Sequence, residues 1–309
     1  MQELVEKRAE LRKAFDRVMP DIQEFNNVYV GAGVMKLLKK ILKYKMKYVR
    51  YLLARFGIYR SDVKVELFWG PTIKLPIHDA EVMPVFILKA LPSSEYKLTR
   101  YLINSLQPND VFYDVGANYG LYSGLAGEII SSGEIHAFEP NPEIFKYLIG
   151  GLGSKYKKIS CVKKALSNQV DKLTFYVKRN SSGGSTLNGE VASTLKSNFD
   201  AINVPCITLD SYIKNHRLPT FMKLDVEGAE HFVIEGATEL FKRTKPVISL
   251  EVWGAETGDR FSRKASEMLI KLGYAPHRIN DNGELNEIES IDSMNLASNE
   301  VENVIFKAK

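Results

Sequence analysis

The stretch from Val111 to Ile130 limits what this chain can become more than any other. A short apolar strand, Val111–Val115, runs straight into Asp114-Val115-Gly116-Ala117-Asn118-Tyr119-Gly120, and an apolar helical stretch, Leu121–Ile130, follows at once. Gly116 and Gly120 let the backbone turn sharply and come close to a ligand. Asn118, between them, is among the residues that tolerate a left-handed conformation. The alternation then repeats: strands are expected at Gly133–Phe138, Ile159–Lys163, Phe221–Leu224, Val247–Val252 and Val304–Phe306, with helices at Glu143–Leu152, Ala229–Leu240 and Arg263–Leu272. Alternating elements of this length predict an α/β doubly wound, mainly parallel sheet with helices on both faces. In such sheets ligands sit beyond the carboxyl ends of the strands, so the residues just after each strand carry the functional information.

The first of these joints is not the dinucleotide pattern G-x-G-x-x-G. Asp114 stands two residues before the first glycine and brings a carboxylate to the turn, which suits a cationic ligand better than a pyrophosphate. S-adenosylmethionine, with its ammonium and sulfonium, is such a ligand. After the second strand comes Phe138-Glu139-Pro140, with Glu139 19 residues beyond Gly120. An acid at that distance can accept hydrogen bonds from ribose hydroxyls. After the third strand, Ala165-Leu166-Ser167-Asn168 lies at the edge expected over an adenine, where backbone groups, Ser167 or Asn168 could bond the base. After the fourth strand stands Lys223-Leu224-Asp225-Val226-Glu227-Gly228-Ala229-Glu230-His231, three carboxylates, an imidazole and an ammonium in nine residues. Acids at a helix start are ordinary. A lysine inside an otherwise apolar strand is not, and it must be paired or functional. A strand directs Lys223 and Asp225 to the same side. Glu251 and Trp253 close the fifth strand, either shaping an acceptor pocket or serving as a rim residue and a core indole.

Taken together these segments resemble the FkbM-type methyltransferase family, over about residues 95–253. The resemblance rests on Asp114–Gly120, Phe138-Glu139-Pro140, Ala165-Leu166-Ser167, Thr208-Leu209-Asp210 and Lys223–Glu230. It implies a Rossmann-like class I methyltransferase fold and methyl transfer from S-adenosyl-L-methionine. Acceptors in the family are usually hydroxyls of sugars, polyketides or other secondary metabolites. Carried over, Asp114, Gly116, Asn118 and Gly120, with Ala117 and Tyr119 in the same turn, would hold the methionine end; Glu139, beside Pro140, would hold the ribose, and Asp225 would face the methyl group. A hydroxyl needs its proton removed as it attacks. Asp225 or Glu227 is the expected base, His231 a weaker candidate, and Lys223 the partner that orients Asp225. No metal is expected, with a divalent cation held by the clustered acids as the alternative. Two alternatives are a nicotinamide-dependent oxidoreductase, disfavoured by the missing dinucleotide motif, and a non-catalytic binding protein on the same fold at a membrane surface, disfavoured by the intact row Asp114, Glu139, Asp225 and Glu227.

The chain has 309 residues, enough for one domain of about 200–250 residues and an extension. A boundary near residue 60 gives a helical extension, 1–60, and a catalytic domain, 61–309. Within the extension, Leu38, Ile41, Leu42, Val49, Leu52, Leu53 and Phe56 recur at helical spacing, with Lys39, Lys40, Lys43, Lys47 and Arg50 between them. Residues 36–60 hold nine Lys and Arg and no acid, so the remainder of this +5 chain is net negative. Such a face could lie solvated or packed, meet an anionic membrane surface, or join a homodimer; nucleic acid is not the expected partner. Only Cys161 and Cys206 are present, far apart, which argues against a disulfide framework. With no apolar run of membrane-spanning length, the expectation is a cytoplasmic protein, its alternative a peripheral position at the inner face of the membrane. The Asp171–Cys206 insertion, with its Gly/Ser-rich Ser181–Ser185 loop, is expected to be mobile and to cover the acceptor pocket.

Overall fold

The computed structural model describes residues 2–29, 34–58, 62–91, 95–153, 155–194, 198–254, 259–297 and 300–309. Among the described residues thirteen strands are formed: β1 (Asp62–Glu66), β2 (Thr72–Pro76), β3 (Val111–Val115), β4 (Glu134–Phe138), β5 (Ile159–Val162), β6 (Ala165–Leu166), β7 (Asp171–Lys178), β8 (Phe199–Ile207), β9 (Phe221–Leu224), β10 (Val247–Trp253), β11 (Tyr274–Ile279), β12 (Leu285–Glu287) and β13 (Val301–Ala308). Eight of them make one sheet in the order β12-β11-β13-β10-β9-β3-β4-β5. From β5 to β10 every neighbour is parallel. β13 enters between β10 and β11 and runs antiparallel to both. This is the expected Rossmann-like class I methyltransferase architecture. β3 is buried along its whole length, as a central parallel strand covered on both faces must be.

The insertion forms a separate sheet. β7 pairs antiparallel with β8 over eight residues from Asp171↔Cys206 to Lys178↔Phe199, and β6 lies on the other edge of β8. The sheet is therefore anchored directly behind the third strand of the main sheet, and its hairpin reaches over the carboxyl edge.

One expected helix is broken. Ala229–Leu240 is two short helices, Glu230–Glu235 and Thr238–Arg243. At the joint, a side chain on Gly236 would come 2.1 Å from the Ser167 carbonyl oxygen, so only glycine fits. The second helix starts where Asp210 accepts from Glu239 N and Leu240 N, both at 2.9 Å. The expected Glu143–Leu152 helix is also divided, into Pro142–Leu148 and a π-turn at Ile149–Gly153. β11, β12 and the Val82–Leu88 helix were not anticipated from the sequence.

The N-terminal extension is two helices, Gln2–Tyr29 and Val34–Arg55. Leu11, Phe15, Ile22 and Phe25 recur on one face of the first and are buried in the same apolar cluster as Ile73, Leu102, Phe112 and Ile135. The extension thus shares its core with one face of the main sheet. In the second helix the packed side differs from expectation. Tyr48 and Ala54 are buried, whereas Leu53 and Phe56 of the apolar stripe are exposed. The side chains of Leu38, Lys39, Lys40, Ile41, Leu42 and Lys43 lie outside the described residues. Both cysteines are free thiols. Among the described residues no helix is long and apolar enough to cross a membrane.

Candidate active site

At the carboxyl edge of the main sheet a cavity of about 260 Å³ opens between the β3 turn, the ends of β4, β9 and β10, the hairpin of the second sheet, and the segment before β3. The β3 turn is set by backbone demands. Gly116 has φ +85°, and a side chain on it would stand 1.9 Å from the Asp225 carbonyl oxygen. Gly116 N and Ala117 N both donate to the Phe138 carbonyl, at 3.1 and 2.9 Å. Asn118 takes a left-handed φ of 52°, and Gly120 one of 79°.

Asp114 is buried beneath this turn rather than lining the cavity. Its Oδ2 accepts from Ser123 N at 3.0 Å and Ser123 Oγ at 2.6 Å, holding the start of the Leu121–Ile129 helix. Its Oδ1 is buried without a hydrogen-bond partner. Burial pushes its carboxyl up, with the Lys223 ammonium opposing. Glu139 does line the cavity, beside Pro140. Its two oxygens accept from Asn118 N at 3.0 Å and Asn141 N at 2.7 Å, tying the first and second strand ends together. Burial raises it to about 7 against those two donors.

Lys223 and Asp225 meet as the strand period requires. Lys223 Nζ donates to Asp225 Oδ2 at 2.5 Å and lies 4.9 Å from the centre of the Tyr122 ring. Burial alone would lower the Lys223 ammonium, but Asp225, Asp114 and Glu95 outweigh it and hold the charge. Glu227 has a left-handed φ of 57°, unusual for a side chain of its size, and accepts from Gly184 N at 2.6 Å. Burial, then the neighbouring Asp225, raises it to about 8. Glu251 accepts from Trp253 Nε1 at 2.6 Å and is pushed well above the carboxylate range by burial, Asp225 and Glu227. Carboxylate oxygens of Asp225, Glu227 and Glu251 lie within 4.8 Å of one another, a spacing that could hold a cation. Each of the three already accepts from a protein donor.

Besides Asp114, four expected site residues lie outside the cavity: Gly120, where a side chain would meet Leu148 and Leu152, and Ser167, Asn168 and His231. Ala165 lines the cavity, but Ser167 and Asn168 are not among its lining residues. Ser167 N is taken by the Ile207 carbonyl, and Asn168 Nδ2 bonds Glu235 Oε2 at 2.8 Å on the outer face. His231 is buried against the Phe232 ring, one turn past the acidic segment and outside the cavity. Burial, then Lys264, lowers its imidazole to about 4, which leaves it neutral. Two lining acids were missed by sequence reasoning. Glu95 accepts from Tyr122 Oη and from Asn303 Nδ2. Glu81 accepts from Ser181 Oγ at 3.0 Å. Each arrives from before β3, and no local pattern marks it.

The Ser181–Ser185 loop, expected to be mobile, is held at several points. Ser182 N donates to Asp79 Oδ2 at 2.9 Å, Asn118 Nδ2 donates to Ser182 Oγ at 3.1 Å, and Gly184 N reaches Glu227. Asp79 also accepts from Tyr119 Oη at 2.6 Å. One buried carboxylate thus fastens the loop to the glycine turn.

The family model for the methyltransferase FkbM domain matches residues 114–282, more than half of the chain and all of the strand ends just described. The chain belongs to the FkbM methyltransferase family. A curated relative, the hexuronic acid methyltransferase AglP of Haloferax volcanii, is 25% identical over 217 residues, 69% of this chain and 82% of that protein. Among solved structures, the FkbM methyltransferase of Methylobacillus flagellatus KT gives a TM-score of 0.42 at 12% identity, covering 65% of this chain and 44% of the other. M. jannaschii TYW2, solved with AdoMet, gives 0.41 at 12% identity, covering 81% and 88%. The FkbM match begins at Asp114 and takes in both Gly116 and the Lys223–Glu230 segment, which meet in space at the Gly116–Asp225 contact.

Proposed function

We propose that this FkbM-family protein uses S-adenosylmethionine to methylate a hydroxyl of a sugar, a glycan or a secondary metabolite. The observation that carries the reading is one cavity at the carboxyl edge in which the glycine turn and Glu139 face Lys223, Asp225, Glu227 and Glu251. The acids lining the cavity and the close backbone of the turn fit a cationic, adenosine-bearing group. When bound, that cofactor supplies an electrophilic methyl. Gly116, Ala117, Asn118 and Tyr119 would shape its seat, and Glu139 the ribose end.

The protein's own part is alignment and proton handling. Glu227 is the better base once deprotonated: burial and Asp225 raise its carboxyl to about 8, so its basic form grows as pH rises and is more basic than an ordinary carboxylate. Asp225, oriented by Lys223, would hold the acceptor hydroxyl beside it. Proton transfer is favoured over a metal-assisted route because the three acids are already engaged with Lys223, Gly184 and Trp253. The AglP likeness supports a sugar acceptor. The acid-rich wall suits a neutral hydroxyl better than a carboxylate-bearing one.

The test is transfer of radiolabelled methyl from S-adenosylmethionine to neutral and uronic-acid oligosaccharides, with and without a chelator. Alkali-stable label on a sugar oxygen, insensitive to the chelator, is the expected result. Label on nitrogen, or transfer abolished by the chelator and restored by a divalent cation, would overturn the acceptor or the metal-free route respectively.

A further inference from the structure

The Val34–Arg55 helix carries an apolar edge that the fold leaves uncovered. Met46 is 78% exposed and Leu53 40%; just past the helix end, Phe56 is 76% exposed and Ile58 72%. At 3.6 residues per turn, positions 46, 53 and 56 share one side of the helical path. Tyr48 and Ala54 lie on the other side and pack inward. Single exposed apolar residues are ordinary, but four large ones within thirteen residues, three of them on one side of the helical path, mark an interaction surface.

The charge of the same segment names the partner. Residues 36–60 hold nine Lys and Arg and no Asp or Glu. Lys47 and Arg55 bond backbone carbonyls of Phe86, Ile87 and Asn180, so these contacts leave their charge in place. An apolar edge within a uniformly cationic segment is the composition of a helix that lies in the interface of an anionic bilayer.

We propose that this end of the molecule docks on an anionic membrane surface. Met46, Leu53, Phe56 and Ile58 enter the boundary between headgroups and acyl chains, and the net positive charge of 36–60 draws the segment to lipid phosphates. The position has a consequence for the cavity. Arg55 Nη1 donates to the Asn180 carbonyl at 2.7 Å, and Asn180 opens the Ser181–Ser185 loop, of which Ser182, Gly183 and Ser185 line the cavity. Docking therefore brings the cavity rim close to the lipid headgroups. The proposal stands independently of methyl transfer.

The test is co-sedimentation of the full-length chain with sucrose-loaded vesicles of phosphatidylcholine alone or mixed with phosphatidylserine. The expected result is partitioning on the order of tenfold stronger on the anionic vesicles, lost in high salt. A Met46→Ser, Phe56→Ser, Ile58→Ser variant should lose that partitioning by a similar factor while keeping the wild-type thermal midpoint. Absence of binding to anionic vesicles would overturn the proposal, and so would a folded variant that binds as well as wild type. A concentration-dependent dimer that the same variant dissolves would also overturn it, because the face would then be covered by a second copy.

Discussion

Lys223 is a buried cation whose surroundings were assembled from distant parts of the chain: Asp225 two residues on, Asp114 from β3 and Glu95 from before it. Replacing it with alanine leaves those acids uncompensated, and loss of one partner of a buried pair destabilises by about 3–5 kcal/mol. Lys223→Ala should show this by chemical denaturation, whereas Lys264→Ala, at a half-exposed ion pair with Glu235, should change stability by less than about 1 kcal/mol. Glu227 gives a kinetic prediction. Its carboxyl is raised to about 8, so the basic form grows as pH rises and turnover should climb through that pH. Glu227→Gln should lower kcat by about 10²–10⁴-fold and flatten the profile, with cofactor affinity retained. An unchanged kcat at saturating acceptor would remove Glu227 from the reaction. Lys223 was legible because a lysine in an apolar strand demands an explanation, and the period of two pointed to Asp225. Glu81 and Glu95 were not, because an acid near a helix start or in a loop is ordinary until tertiary packing buries it.

At the scale of elements, the strand–turn–helix units could be read from the chain because each carries its own period and its own punctuation. What could not be read were the places where two elements touch. Ala229–Leu240 is helical in pattern, yet the close approach of Ser167 to Gly236 splits it. The Ser181–Ser185 loop is flexible by composition, yet Asp79, Asn118 and Glu227 hold it. Likewise the turn of β3 packs against the segment just after β9, which leaves no room for a side chain on Gly116. Gly116→Ala forces a side chain into the Asp225 carbonyl from a left-handed backbone. The backbone term alone is about 1–3 kcal/mol. The variant should melt earlier, and it should bind S-adenosylhomocysteine far more weakly than a surface Gly57→Ala control, whose position is open.

For the whole molecule, the sequence divides at residue 60 while the apolar core does not. Phe15, on the first helix, is buried in the cluster that backs the main sheet. Phe15→Ala should therefore destabilise the entire fold, by about 3–5 kcal/mol, in a single transition seen equally by far-UV and near-UV signals. Buried titratable groups in and beside the cavity also impose a pH dependence on stability. Glu139 and Glu230 are raised to about 7 and Glu227 to about 8, so between the ordinary carboxylate pKa and pH 8 the folded chain binds protons that the unfolded chain has released. Stability from these groups is full below about pH 4.5 and is lost as pH rises through 7 to 8. His231, lowered to about 4, acts in the opposite sense as pH falls from 6.5. Three carboxyls against one imidazole predict a higher thermal midpoint at pH 5.5 than at pH 8, and Glu139→Gln should reduce the difference.

Calorimetric titration of the purified chain with S-adenosylhomocysteine, run beside NADH, tests the central claim most directly. A carboxylate-rich cavity under a glycine turn predicts binding of the former in the micromolar range, about −8 kcal/mol, and none of the latter. Binding of NADH, or of neither ligand by a protein shown to be folded, would contradict the assignment of this cavity to a methyl donor.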